Sequence, residues 1–152
     1  MSIESSFSKH QAIWDDCYLG YVICDNPNRS KGHRAIQKCV SHNVEFDFYP
    51  WLNGKEEIRL PENGLNQVTP EEFGNLFMVM AKEAINYGSE IRLSNVELEE
   101  LLSSFLEGVT EPSYFSNFSD SDWRPVTNHS RDSFLCVVGT NKIGMWLSCD
   151  DE

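Results

Sequence analysis

The chain has 152 residues, and its 24 acidic and 12 basic side chains give a formal net charge of −12 at pH 7. This acidic excess disfavours direct binding of nucleic acid, because phosphate contacts require clustered lysine and arginine. With 40% hydrophobic and 12% aromatic residues, the chain is long enough to bury one core, and we predict a single domain over residues 1–152.

The N-terminal residues 1–9 are polar and acidic, with no basic start followed by an apolar stretch, so they predict no secretory signal and are expected to be disordered. No apolar run approaches the ~18 residues that span a bilayer, so no membrane contact is predicted. The cysteines are odd in number and contain no CxxC pair, a usage typical of reduced thiols in a cytoplasmic protein. They lie at positions 17, 24, 39, 136 and 149.

The first half of the chain predicts short strands around one helix. Residues 18–24 are aromatic and β-branched and predict a strand, and residues 31–42 have apolar side chains at helical spacing. Residues 44–48 alternate apolar and acidic side chains, as a half-buried strand does. After a turn at residues 50–54, residues 57–60 are the predicted partner strand of a hairpin.

Two helices follow, each with a capping signal at its start. Thr69 and Glu72 form a capping box for a core helix over residues 70–87, and Gly88 is predicted to end that helix in the left-handed conformation.

Ser94 and Glu97 provide the second capping box, and Gly108 is the predicted stop of that helix. Residues 90–93, between the two helices, are a possible bridging strand.

The segment 109–131 has no helical period and mixes aromatic with small polar and acidic residues, which predicts a long loop suited to binding. The alternative is that at least two of its aromatic side chains cover the core. Residues 133–138 and 143–149 then predict a C-terminal β-hairpin around a turn at 139–142. The fold class is therefore α+β, with a small, mostly antiparallel sheet, two to three packed helices and this hairpin.

No catalytic or metal-binding motif is recognisable. His33, Cys39 and His42 lie near one another, but only Cys39 and His42 share a helix face, and a tetrahedral zinc site needs further ligands at short spacing. The acids at 120 and 122 lack the later glycine and glutamate of a calcium loop. We therefore predict no catalytic residue, no cofactor and no metal, although a site assembled from distant residues remains an open alternative.

The size, acidity, free cysteines, α+β order and acidic aromatic loop together resemble small acidic bacterial immunity proteins of contact-dependent or polymorphic toxin systems. The resemblance implies a non-enzymatic monomer or weak dimer that neutralises a cognate toxin, a basic nuclease domain, by occluding it with acidic side chains. The alternatives are a nucleic-acid mimic or adaptor, and a small enzyme. The predicted partner-binding residues are Glu97, Glu99, Glu100, Tyr114, Phe118, Asp120, Asp122 and Trp123. A basic group in the first third has an undecided role: Arg29, Lys31, Arg34 and Lys38.

Overall fold

The structure, a computed structural model, describes residues 2–43, 45–49 and 55–150. Five helices and seven strands lie in these ranges, and they confirm the predicted α+β class. The helices are α1 (Ile3–Ser8), α2 (Gln11–Trp14), α3 (Gly32–His42), α4 (Pro70–Gly88) and α5 (Asn95–Leu106). The strands are β1 (Leu19–Asp25), β2 (Phe46–Asp47), β3 (Lys55–Glu56), β4 (Asn66–Val68), β5 (Ser113–Ser116), β6 (Arg131–Val138) and β7 (Lys142–Asp150).

The main sheet has five strands in the order β1-β7-β6-β5-β4, and every neighbouring pair is antiparallel. The predicted C-terminal hairpin is confirmed as β6 and β7, which lie at the centre of the sheet. The predicted first strand and the helix after it are confirmed as β1 and α3. Strands β2 and β3 form a separate two-stranded sheet.

Both faces of the main sheet are buried. On one face Leu135, Val137 and Trp146 pack with residues of α1, α2, α4 and α5, and on the other Phe134 and Met145 pack with α3 and the small sheet. A strand covered on both faces is apolar at nearly every position. This explains why the hairpin is a nearly continuous apolar run in the sequence.

Both capping boxes are present, but the predicted role of Gly88 is wrong. Gly88 is the last residue of α4 and lacks a positive φ angle, and the helix is capped by Ser89 with φ −144°. A Cβ on Gly88 would lie 2.3 Å from the carbonyl oxygen of Asp16, so glycine is needed here for close approach. Gly108, just beyond α5, has φ +78°, as a left-handed stop requires.

The prediction that residues 1–9 are disordered is wrong, because α1 is part of the core. Phe7 is fully buried and stacks on Trp14, with ring centroids 4.5 Å apart. Ile3, one helical turn earlier, is also buried, and Ser2 caps the helix by accepting a hydrogen bond from the Ser5 amide at 3.2 Å. Ile3 and Phe7 alone are too few apolar residues to predict a helix from the sequence, because this helix depends on their tertiary contacts.

Two predicted strands are corrected. Residues 57–60 lie in the described part of the chain but form no strand, because Lys55–Glu56 pairs with Phe46–Asp47 instead and the Arg59 amide donates to the Val126 carbonyl at 2.7 Å. Residues 90–93, also described, form no bridging strand.

Two predicted features of the small hairpin, its first residue at position 44 and its turn over 50–54, lie outside the described residues.

The predicted loop over 109–131 is wrong in part, because it contains β5. Its residues pair with β4 on one side and β6 on the other, and Phe115 is fully buried. This strand is short and polar residues flank it, so its side chains do not alternate strongly enough to predict a strand from the sequence. Its place inside the sheet stabilises it. The remainder of the segment, from Asn117 onward, forms the site described next.

Candidate functional site

A cleft of about 500 Å³ lies at one end of the main sheet. It is bounded by the C-terminal half of α4, the segment 118–123 and the strand ends where β6 begins and β7 finishes. The residues that line it are Asp16, Tyr18, Val79, Met80, Glu83, Ala84, Tyr87, Gly88, Phe118, Ser119, Asp122, Trp123, Arg131, Asp132, Ser133, Ser148, Cys149 and Asp150.

The floor of the cleft arises from a change in side-chain polarity along the hairpin. On the face packed by α4 and α5, the central positions of β6 and β7 are apolar. At the strand ends the same face carries Ser133 opposite Ser148 and Arg131 opposite Asp150. Because side chains alternate between the faces of a strand, these polar residues continue the row that begins with buried apolar ones.

The cleft concentrates exposed apolar surface. Of the seven large apolar side chains exposed in the described residues, four line it. Tyr18 is 66% exposed, Tyr87 71%, Val79 52% and Trp123 47%. Single exposed apolar residues need no explanation, but a cluster of them marks a site where another molecule binds.

The same cleft is acidic. Its lining includes five acidic residues, four with carboxylates that are not buried and the buried Asp132, and a single arginine, Arg131. Arg131 Nη2 donates to Glu83 Oε1 on α4 at 3.2 Å, and Arg124 Nε, which is not a lining residue, donates to Asp122 Oδ2 at 3.0 Å. Even with these ion pairs, the lining therefore has an excess of negative charge.

Asp132 holds the neighbouring loop, residues 117–127, in place. The residue is only 4% exposed. Its carboxylate accepts hydrogen bonds from Asn117 Nδ2 at 2.7 Å, the Val126 amide at 3.1 Å, and the Thr127 amide and Oγ1 at 2.9 and 2.8 Å. Buried carboxylates are tolerated where hydrogen bonds replace their water in this way. Asp132 thus joins both ends of the loop to the start of β6.

Asn117 and Trp123 complete the network. Asn117 Oδ1 accepts from the Phe134 amide at 2.7 Å, and its Nδ2 also donates to the Arg124 carbonyl at 3.0 Å. Trp123 Nε1 donates to the Asp132 carbonyl oxygen at 2.8 Å. The half-exposed indole is therefore held in one orientation by the backbone of β6.

The structure brings together only some of the predicted binding residues. Phe118, Asp122 and Trp123 line the cleft. Asp120 is exposed on the same loop but does not line the cleft, and Tyr114 packs on Phe73 with ring centroids 4.9 Å apart. The alternative that aromatic residues of this segment cover the core therefore describes Tyr114 and the buried Phe115.

The three predicted glutamates of α5 form a separate acidic group. Glu97 belongs to the capping box, where hydrogen bonds from the Ser94 amide lower the pKa of its carboxyl, and it lies 3.5 Å from His10 Nε2. Glu99 and Glu100 are exposed. Of the described residues of α5, none lines the cleft.

Sequence reasoning missed the contribution of α4 to the cleft. Val79, Glu83 and Tyr87 follow one another at intervals of four, so they form a stripe on the helix beside its buried core face. Helical spacing alone would have found this stripe. Arg131 and Asp150 are strand ends and Tyr18 directly precedes β1, and no local pattern joins them to α4.

The buried thiols are not placed for nucleophilic chemistry. Burial raises the pKa of Cys17 to about 11 and also raises that of Cys136, so both remain protonated at neutral pH. Cys39 donates a hydrogen bond to Cys24, which lowers the pKa of Cys24 and raises that of Cys39. The two histidines near Cys39 in the sequence contact backbone oxygens: His33 Nε2 lies 2.8 Å from the Leu65 carbonyl oxygen, and His42 Nδ1 lies 2.7 Å from the Lys38 carbonyl oxygen.

Comparison with protein-family models, curated proteins and solved structures found no match for this chain. Among the helices that the structure describes, none combines the length and apolar character needed to cross a membrane. The described residues contain no group of three histidine, cysteine or acidic side chains arranged to hold a metal ion. The feature with a clear chemical character is the cleft, an aromatic surface bordered by carboxylates.

Proposed function

We propose that this chain is an immunity-type inhibitor, a non-catalytic protein that binds a basic nuclease toxin domain and covers its active surface. The observation that carries the proposal is the cleft, where four exposed apolar side chains lie together with four acidic residues that are not buried. Exposed apolar clusters of this kind are typical of protein-binding sites. The carboxylates favour a partner of positive charge.

The loop beside the cleft is organised before any partner binds. The hydrogen bonds of Asn117, Trp123 and Asp132 fix its backbone and its indole. A surface that is already ordered loses less conformational entropy on association. Tryptophan and tyrosine are also the residues that most often dominate the energy of an interface, so Trp123 and Tyr87 are the expected anchors.

The charge of the whole chain supports the same partner. A nuclease holds the phosphates of its substrate with lysine and arginine, and carboxylates can occupy the positions of those phosphates. With a net charge of −12, the chain also attracts a basic partner over a distance, which raises the rate of association at low salt.

The first test is affinity capture with the full chain from the cells that produce it, at low and at moderate salt. We expect one stoichiometric basic protein, retained less strongly at moderate salt, whose purified form degrades nucleic acid and loses that activity in the complex. Capture of no basic protein would contradict the proposal. So would a basic partner whose activity is unchanged in the complex, which is the outcome for an adaptor.

A pair of variants with a matched control tests the cleft. The double substitution Trp123→Ala and Tyr87→Ala removes both anchors, and we expect at least about a tenfold loss of affinity. The control, Ile91→Ala with Val96→Ala, removes two exposed apolar side chains outside the cleft, and its affinity should change by less than about twofold. Equal losses in the two variants would show that the partner does not use the cleft.

A second pair of double variants decides between the acidic residues of the loop and those of α5. Asp120→Asn with Asp122→Asn and Glu99→Gln with Glu100→Gln each remove two negative charges, so they alter the net charge equally. We expect the double variant at positions 120 and 122 to slow association with the partner more than the one at 99 and 100, with an effect that shrinks as the salt concentration rises. A larger effect of the α5 pair would move the binding surface to α5.

A further inference from the structure

The cleft already holds a guanidinium of the chain's own. Arg131 is the first residue of β6, lies opposite Asp150 in the hairpin and donates across the cleft to Glu83 at 3.2 Å. The side chains of Arg131 and Glu83 are 54% and 46% exposed. This ion pair is therefore in contact with water, and another cation is able to compete for the Glu83 carboxylate.

Trp123 provides a flat aromatic surface in the same cleft. The residue is 47% exposed, and its ring is fixed by its hydrogen bond to the Asp132 carbonyl. A guanidinium is planar, delocalised and weakly hydrated, so it stacks on an aromatic ring while its N–H groups bind a carboxylate. The ammonium of lysine is a compact and strongly hydrated charge, so the cleft suits arginine better than lysine.

We propose that the cleft receives an arginine side chain of the partner protein, which pairs with Glu83 in place of Arg131 and stacks on Trp123. The cleft volume of about 500 Å³ lies within the range of ligand pockets, roughly 300–1,000 Å³, and holds a side chain with part of its backbone. The nature of the protein that carries the arginine rests on the proposed function. The chemistry of recognition rests on the cleft alone.

The exchange predicts opposite effects for the two halves of one ion pair. Arg131→Gln removes the competing cation and leaves Glu83 for the incoming arginine, so binding should become tighter. Glu83→Gln removes the carboxylate that the arginine needs, so binding should become weaker. If the ion pair served only to hold α4 against β6, both substitutions would weaken binding.

The experiment is a titration of the isotope-labelled full chain with three capped tripeptides, Gly-Arg-Gly, Gly-Lys-Gly and Gly-citrulline-Gly, followed by NMR. The Trp123→Phe variant assigns the indole resonance of Trp123. We expect the arginine peptide to shift this resonance and to bind about three- to fivefold more tightly than the lysine peptide, with no binding of citrulline. Equal affinities of arginine and lysine, or shifts confined to α5, would overturn the proposal.

The same titration is repeated with three variants. Relative to the wild type, we expect the arginine peptide to bind roughly two- to fivefold more tightly to Arg131→Gln and more weakly by a similar factor to Glu83→Gln. Glu99→Gln makes the same charge change outside the cleft and should leave the affinity unchanged. An equal loss in Glu83→Gln and Glu99→Gln would mean that only the overall charge is sensed, and the proposal would be wrong.

The two proposals fail in different experiments. If the arginine peptide binds at the cleft with these opposite effects but the captured partner is no nuclease, the inhibitor assignment is wrong and the arginine site stands. If a nuclease is inhibited but Arg131→Gln weakens both peptide and nuclease binding, the arginine site is wrong and the inhibitor assignment stands.

Discussion

Asp132 connects the fold of the chain to its cleft. Among the residues that the structure describes it is the one charged residue that is buried, and its hydrogen bonds reach both Asn117 at one end of the loop and Thr127 at the other. Its backbone carbonyl also orients Trp123. A single residue therefore positions the indole and holds the loop that borders the binding surface.

We expect Asp132→Asn to destabilise the protein by about 2–3 kcal/mol, because an amide NH₂ group replaces an acceptor that faces backbone amides. Denaturant unfolding followed by tryptophan fluorescence measures this change. Asp120→Asn, on the exposed part of the same loop, is the control and should alter the free energy of unfolding by less than about 0.5 kcal/mol. Equal stability of the two variants would show that the Asp132 network does not hold the loop.

The cysteines differ in reactivity because their surroundings differ. Burial raises the pKa of Cys17 from 9.0 to about 11, whereas the hydrogen bond from Cys39 lowers the pKa of Cys24. The thiolate is the reactive form of cysteine. In the native protein at mildly alkaline pH, Cys24 should therefore be alkylated before Cys17, as measured by peptide mapping. Faster modification of Cys17 would contradict the assigned environments.

The raised pKa of Cys17 also has a consequence for stability. The thiol ionises near pH 9.0 when the chain is unfolded and near pH 11 when it is folded. Its contribution to the free energy of unfolding is therefore complete below pH 9.0 and is lost as the pH rises through about 11. In Cys17→Ala the free energy of unfolding should fall less steeply over this interval than in the wild type. Parallel pH profiles of the two proteins, from urea unfolding, would refute this assignment.

At the scale of the secondary-structure elements, α4 joins the core to the cleft. Its capping box and apolar face position it across the sheet, while Val79, Glu83 and Tyr87 form one wall of the cleft. The end of this helix touches the backbone before β1 at Gly88. The contact at Gly88 therefore helps to fix the position of the wall.

Two glycines of α4 should respond oppositely to alanine. In Gly74→Ala the new Cβ would lie 3.8 Å from Leu102 Cδ2, an ordinary contact, so the better helix propensity of alanine should stabilise the protein by about 0.5–1 kcal/mol. In Gly88→Ala the Cβ would lie 2.3 Å from the Asp16 carbonyl oxygen, and forcing the backbones apart should cost about 1–3 kcal/mol. Urea unfolding gives both values, and stabilisation by Gly88→Ala would show that this approach is not tight.

At the scale of the whole molecule, two layers cover the sheet and leave one end of it open. Helices α1, α2, α4 and α5 pack on one face and α3 with the small sheet on the other. The cleft lies at the end of the hairpin where its side chains become polar. The net charge of −12 acts on the same molecule by self-repulsion, which opposes the compact state.

Salt should therefore affect folding and binding with opposite sign. Raising the salt concentration from about 10 mM to about 300 mM shortens the Debye length from roughly 30 Å to below 10 Å, which weakens self-repulsion and attraction to a basic partner alike. We expect a higher midpoint of urea unfolding and a slower association with the captured partner. Faster association at high salt would contradict electrostatic attraction of that partner.

The local elements were predictable where the signal lies in adjacent residues. Thr69 with Glu72 marked the start of α4, and Ser94 with Glu97 marked that of α5, because a capping box satisfies free backbone amides within one turn. Helix α1 was not predictable in this way, since its stability comes from the stacking of Phe7 on Trp14. Short elements of this kind depend on tertiary packing more than on propensity.

The sequence by itself determined the α+β class, the C-terminal hairpin and the acidic excess, because these depend on composition, apolar strand runs and turn chemistry along neighbouring residues. Only the tertiary structure decided where the cleft lies. Its acidic residues lie at positions 16, 83, 122, 132 and 150, which share no spacing in the chain. They meet because α4 crosses the end of the hairpin and Asp132 holds the loop beside it. Packing between distant segments therefore forms this site, and that packing is not encoded in any local pattern.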